Sequence, residues 1–217
     1  VYLGASSTTS YVLQCVVPLE TVEDLEGKRI RAAGAYWARW AETVGAVPVS
    51  MSINETLEGL NQGVVDCTAS NTADFVNFGF IDVVKYLYIG LPGAQFNVTY
   101  TMNRDSWNSL SDGNKEAMLK SAATGAAAIL TQYREDMLTT RELMKDLGAN
   151  FHEADGDVIA ASEAFAKDDL KAAARSYAEK YDIQNGEQKL EDFRELLDKW
   201  RELVKDVETA EALSDLL

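Results

Sequence analysis

A chain of 217 residues is long enough for one large domain or two small ones with a real core. Hydrophobic residues make up 47% and charged residues 25%, ordinary for a globular protein, and no run approaches the roughly 18 apolar residues that span a bilayer. Against 20 basic residues stand 35 acidic ones, and the formal net charge of -15 repels phosphate backbones and anionic lipid, which argues against nucleic acid and direct membrane insertion.

An anionic small ligand would therefore need a local cationic focus, and the first clear element supplies one. "KRIRAA" is a short β-compatible segment carrying Lys28, Arg29 and Arg31. "YWARWAETVGA" follows with Tyr36, Trp37, Trp40 and Val44 at helical spacing, opening near Ala35, with Gly45 as its stop. "VPVSM" alternates at Val47, Val49 and Met51 as a second strand. In "SINETLEGLNQG", Ser52 precedes Glu55 by three residues, a capping box; Leu57 and Leu60 are apolar, and Gly63 ends the helix. "VVDCTAS" is a third strand, and "DFVNFGFIDVVKYLYI" reads as another helix or two.

Alternating strands and helices argue for a mostly parallel sheet covered by helices, with ligands bound in the crevice at the carboxyl ends of its strands. Arg31 sits at such an end, as do Ser70 and Asn71. The ordinary alternative is that Arg31 belongs to a solvated strand edge beside Glu23, Asp24 and Glu26, and that Ser70 and Asn71 cap the next helix.

Past residue 92 the pattern changes. "AQFNVTYTMN" alternates as a strand, with Phe96, Val98 and Tyr100 on one face. From about Ser111 to Leu147 nearly every residue favours a helix, with Met118, Ala126, Tyr133 and Met144 on its apolar stripe. "VIAASEAFAKDDLKAAARSYAEKY" is helical again. "QKLEDFRELLDKWRELVKDV" carries Leu190, Phe193, Leu196, Leu197, Trp200, Leu203 and Val204 as a stripe expected to face the core. The acidic "ETAEALSDLL" is expected to fray.

Cys15 and Cys67 lack metal-ligand spacing and are two buried thiols or one disulfide. The single histidine, His152, lies in an acidic loop or strand exit and reads as a surface residue. No nucleophile elbow, phosphate-binding loop or HExxH motif occurs. No cofactor or metal is expected.

The stretch from Val22 to Cys67, "VEDLEGKRIRAAGAYWARWAETVGAVPVSMSINETLEGLNQGVVDC", resembles the signature region of the solute-binding proteins of TRAP transporters, the dicarboxylate and sialic-acid receptor family. The family pattern appears as Asp24-Leu25, Gly27, Ile30-Arg31, Gly45-Ala46, Pro48, Asn54-Glu55 and Gln62-Gly63-Val64-Val65-Asp66, without a gap. Weaker likeness continues through Phe80-Ile81-Asp82-Val83 and "NVTYTMNRDSW".

This resemblance implies a periplasmic-binding-protein-like α/β fold, two domains joined by crossing strands and a long helix, closing on ligand. It divides the chain into residues 1–95, an α/β ligand-binding domain with the first crossing strand; 96–147, the returning strand and long helix toward an N-terminal domain that this chain lacks; and 148–217, helices packing back on the first domain. It implies a carboxylate ligand, TRAP permease subunits as partners, a periplasmic location and a signal segment in the precursor.

Carried over, the carboxylate-clamping arginine is Arg31, and the Asn-containing turn is Ser70 or Asn71. Gln95, Phe96 and Asn97 would line the hinge side, and Trp37 is pocket wall or core. A second basic contact of some members falls near Tyr11, making it aromatic or absent. Cys67 replaces a glycine, and an oxidising periplasm would let it bond to Cys15 on the first crossing strand. An extracytoplasmic sensor of the same fold is the alternative; an enzyme would draw on Asp66, Glu55 and His152, which nothing in the sequence clusters.

Overall fold

The computed structural model describes residues 1–91, 93, 97–154 and 156–216. Its first strands, β1 (Tyr2–Ser7) and β2 (Val12–Cys15), lead through a 3-10 turn at Val22–Leu25 to β3 (Arg29–Arg31). Then come α1 (Ala35–Thr43), β4 (Val47–Val49), α2 (Ile53–Asn61), β5 (Cys67–Ser70) and the single-turn α3 (Asp74–Asn77). A 3-10 turn at Phe80–Asp82 precedes β6 (Tyr86–Ile89), β7 (Asn97–Thr101) and α4 (Arg104–Asn108). The chain ends with α5 (Asp112–Asp146), β8 (Asn150–Glu153), α6 (Gly156–Lys180), α7 (Gly186–Val204) and α8 (Ala210–Leu216).

The larger sheet has the order β4-β3-β5-β2-β6-β8. β3 is parallel to β4 and β5, and β6 is parallel to β8, while β2 runs antiparallel to both its neighbours. The α/β class and the predominance of parallel pairing match the expectation from alternating elements. β1 and β7 form a separate antiparallel ribbon, so the expected crossing pair is interrupted between Ser7 and Val12 rather than running as one strand.

Alternation on β2 separates two cores. Leu13 and Cys15 face α1 and α6, packing with Ile30, Cys67, Trp37, Trp40 and Val158. Val12 faces the opposite side with Leu60, Val65, Phe75, Phe80, Leu87 and Met144, the last from the end of α5. α2 starts with the predicted capping box between Ser52 and Glu55, and α5 with Ser111 accepting from the Asn114 amide. At the β3–α1 turn Gly34 adopts φ 146, a conformation that side chains bearing a Cβ rarely reach, so the chain can turn straight from Arg31 into the helix.

Four expectations change. "YLYI" is strand β6, not helix: Gly79 in the left-handed region separates α3 from the 3-10 turn, and after that turn aromatic and β-branched residues favour a pleated surface. His152 lies on β8, half-buried, its ring 6.4 Å from that of Tyr86 and 6.5 Å from that of Tyr88. The stripe of α7 is not core-facing: Phe193 is 56% and Leu203 60% exposed, because this helix packs beside α6, away from the sheet. α8 returns against α5, where Thr124 and Ser214 share a hydroxyl hydrogen bond of 3.0 Å, rather than fraying.

Candidate functional site

Arg29 and Arg31 are two residues apart and so share a face of β3, yet they end in different surroundings. Arg29, near the strand's start, grips Asp66: its Nη2 donates to Oδ1 at 2.7 Å, its Nε to Oδ2 at 3.1 Å, and its backbone amide to Oδ2 at 2.8 Å. Burial raises the Asp66 carboxyl, but Arg29's side-chain and backbone hydrogen bonds and its charge outweigh this and hold it below its ordinary value.

Arg31, at the carboxyl end, is only 5% exposed and meets no carboxylate at ion-pair distance among the described residues. Its Nε donates to the Met51 carbonyl at 3.2 Å, which orients the guanidinium and leaves its remaining donors for something else. Burial lowers its pKa, opposed by Tyr11 and Asp74; a guanidinium nonetheless keeps its charge in a protein.

Around it lies a cleft of about 230 Å³ lined by Thr8, Tyr11, Arg31, Ala33, Ile53, Asn71, Asp74, Phe78 and Tyr133. Three parts of the chain meet here: the carboxyl ends of β3 and β5, the junction between β1 and β2, and the middle of α5. Beneath the polar side runs a small network. Gln14, fully buried on β2, donates through Nε2 to Ser70 Oγ at 2.8 Å and to the Asn71 carbonyl at 2.9 Å. Ser70 thereby accepts from Gln14 and keeps its own proton to donate. Asn71 lines the cleft, and its Oδ1 has no partner among the described residues.

Asp74 adds a carboxyl to the same wall and is 9% exposed. Burial raises its pKa; the Asn71 and Ser70 side chains, within hydrogen-bonding reach, and the charge of Arg31 draw it partly back. Across the cleft, burial raises the Tyr133 phenol, with the charges of Asp74 and Asp136 adding to the effect.

Of the residues singled out from sequence, the structure brings Arg31 and Asn71 to the cleft, with Ser70 immediately beneath. Trp37 stands one layer behind, in the core, its ring stacked on Tyr11 at 5.7 Å and edge-on to Trp40 at 5.1 Å. Gln95 and Phe96 lie outside the described residues, and for Asn97 only its backbone, paired with Ser7, is described. Tyr11 lines the cleft.

Sequence reasoning missed Asp74 and Tyr133. Nothing in the local pattern marks Asp74, and Tyr133 is one member of a long stripe; only the folded chain brings them to one cleft. Cys15 and Cys67 are directly opposed on β2 and β5, Cα atoms 4.1 Å apart, with their sulfurs at bonding distance. Asp66 holds Arg29, Glu55 closes the α2 cap and His152 stacks with Tyr86 and Tyr88, so the three groups an enzyme would use are each engaged separately. Among the described residues no group of three or more His, Cys, Asp or Glu side chains could hold a metal ion, and no helix is long and apolar enough to cross a membrane.

Residues 6–179 match the family described as bacterial extracellular solute-binding protein, family 7. A solute-binding protein of Roseobacter denitrificans is 26% identical over 157 residues, covering 71% of this chain and 47% of that protein. A TRAP periplasmic solute-binding protein of Bordetella bronchiseptica with bound (R)- and (S)-mandelate superposes with a TM-score of 0.77 at 21% identity, over 92% of this chain and 64% of that one. Another, from Desulfovibrio salexigens with bound orotic acid, gives 0.75 at 18% identity, over 89% and 61%. The chain thus spans about half the length of the curated relative it matches.

Proposed function

The chain belongs to the family 7 bacterial extracellular solute-binding proteins, and from that premise we propose that it captures a small organic carboxylate in the periplasm for delivery to a TRAP-type membrane permease. Arg31 is the clamp. The observation that carries this reading is a buried, oriented guanidinium with no carboxylate at ion-pair distance among the described residues, at the wall of a cleft.

A planar guanidinium pairs bidentately with a carboxylate, and such charge-assisted bonds strengthen where the cleft excludes water. Mandelate and orotic acid, the ligands named for two structural relatives, are both carboxylic acids. Asn71 supplies hydrogen bonds beside the clamp and Ser70 supports it, while Tyr11, Ile53, Phe78 and Tyr133 set the apolar shape. Residues 1–95 would form the ligand-binding unit, 96–147 its link to a second domain, and 148–217 the helices returning to the first. Binding, not turnover, is the activity, and the reading uses no cofactor.

The test is a thermal-shift and calorimetric screen of the full-length protein against mono- and dicarboxylates, repeated with Arg31→Ala and Arg31→Lys. Removing one partner of a buried charge pair costs about 2 kcal/mol or more, so Arg31→Ala should weaken every hit by roughly 30-fold or more. Arg31→Lys, keeping charge but not the fork, should fall between. Unchanged affinity in the alanine variant would remove Arg31 from the role.

A further inference from the structure

The cleft that holds Arg31 also holds an acid. We propose that Asp74 is a specificity-determining residue, selecting a monocarboxylate that carries a hydrogen-bond donor, hydroxyl or ammonium, and rejecting dicarboxylates. This rests on the carboxylate reading above and narrows it to a ligand class.

The argument begins with charge. Arg31 and Asp74 line one small cleft and interact electrostatically, so their charges partly offset one another. A ligand carboxylate that pairs with Arg31 takes up the cation that partly offsets Asp74 and leaves a buried anion less compensated. A second ligand carboxylate would put like charges together in a poorly solvated space, whereas a donor on the ligand would answer the acid.

Hydrogen bonding points the same way. The polar groups beside Asp74 already have their directions set: Gln14 spends its Nε2 donors on Ser70 Oγ and the Asn71 carbonyl. That leaves Ser70's proton and the side-chain and backbone N–H groups of Asn71 to serve Asp74, whose pKa stays raised despite all three. A carboxylate can accept about four hydrogen bonds, so capacity remains on the cleft side. Asn71 Oδ1 is a further acceptor without a partner among the described residues. The other charged or ionisable groups lining the cleft are Arg31, Tyr11 and Tyr133. Apart from the Arg31 fork, the wall formed by Asn71 and Asp74 is thus weighted toward acceptors.

A purely structural acid at the start of α3 would show no dependence on what the ligand carries. The experiment therefore reads a ratio. Full-length protein, wild type and Asp74→Asn, is titrated calorimetrically with two matched series: butanoate, 2-hydroxybutanoate, 2-aminobutanoate and succinate; and phenylacetate, mandelate, phenylglycine and phenylmalonate. Circular dichroism and a melting curve establish that the variant is folded, and Asp74→Ser serves as a second substitution.

The wild type should prefer the hydroxy or the amino acid over its unsubstituted parent by roughly 10- to 100-fold, the range of a hydrogen bond to a charged group. Both variants should collapse that preference and gain affinity for the dicarboxylates. The hydroxy and amino arms tell which donor the site takes. Wild-type binding that ignores the donor, or a preference unchanged in both variants, overturns the assignment of Asp74 while leaving the Arg31 clamp standing. Failure of wild type to bind any acid in either series, with Arg31→Ala indistinguishable from it, overturns the carboxylate reading and this inference together.

Discussion

At the scale of single residues, what distinguishes Arg31 from Arg29 is an ion partner. Arg29 has Asp66 and is spent on holding β3 to the residue before β5; Arg31, with the same charge and on the same strand face, has among the described residues a backbone carbonyl and no ion partner. The sequence carried half of this distinction: the strand-end position and the spacing of the surrounding motif marked Arg31, but nothing in the order of residues announces that Asp66 occupies Arg29. Asp74 shows the limit more sharply. It shares the cleft with Tyr133, 59 positions away in the chain, and local patterning does not encode such a meeting. Its raised pKa gives a stability prediction. A carboxyl whose folded pKa lies above its unfolded value favours the fold when protonated, so stability falls as pH rises from the ordinary value through the raised one. Ligand-free Asp74→Asn should therefore melt higher than wild type at neutral pH, and the gap should close as pH drops through that window. Melting curves across pH would show it; a variant that melts lower at every pH would mean that the acid stabilises the empty site.

Among elements, the joints are few and specific. α1 docks on α6 through Trp40, whose buried Nε1 donates to Ser162 Oγ at 2.8 Å, and through the Arg39 and Asp169 pair nearer the surface. Ser162→Ala strands the indole donor in the core and should cost about 1–3 kcal/mol in denaturant unfolding, whereas breaking the exposed Arg39 pair should be felt far less. β2 is joined to β5 by the opposed Cys15 and Cys67, 52 positions apart. Closing a loop of that length removes about 4 kcal/mol of unfolded-state entropy, so the Cys15→Ala, Cys67→Ala double variant should lose a comparable amount, and reductant should leave it unaffected. Thiol titration of the denatured, unreduced wild type should find no free thiol; two would dispose of the bond. Elements with strong local signals were legible: the α2 capping box, the Gly45 stop, the long α5. β6 was not, since "YLYI" is apolar throughout and periodicity alone does not separate a buried strand from a buried helix. α7 was misread for a related reason: its stripe is real, but a stripe says only that a face is apolar, not what lies against it.

For the whole molecule, the cleft is a place where distant parts of the chain converge, and that makes closure measurable. The carboxyl ends of β3 and β5 supply Arg31 and Asn71; the junction after β1 supplies Thr8 and Tyr11; α5 supplies Tyr133. The junction and α5 are also tied to each other, since α5 packs on β1 and β1 pairs with β7. A ligand held by Arg31 would touch all of these parts at once, and binding there should suppress their independent opening. Hydrogen exchange of the full-length protein with a saturating carboxylate should therefore slow at residues 8–11, at the turn from Arg31 into α1, and in α5 about Tyr133, all together. The two ends of the molecule set the controls: α7, with its stripe exposed, and the β1–β7 register distal to the cleft should exchange as before. In Arg31→Ala the same ligand concentration should leave all three regions unprotected, because the carboxylate anchor that couples them is gone. Protection at the sheet ends alone, with α5 unchanged, would separate Tyr133 from the site and confine the ligand to the sheet side of the cleft.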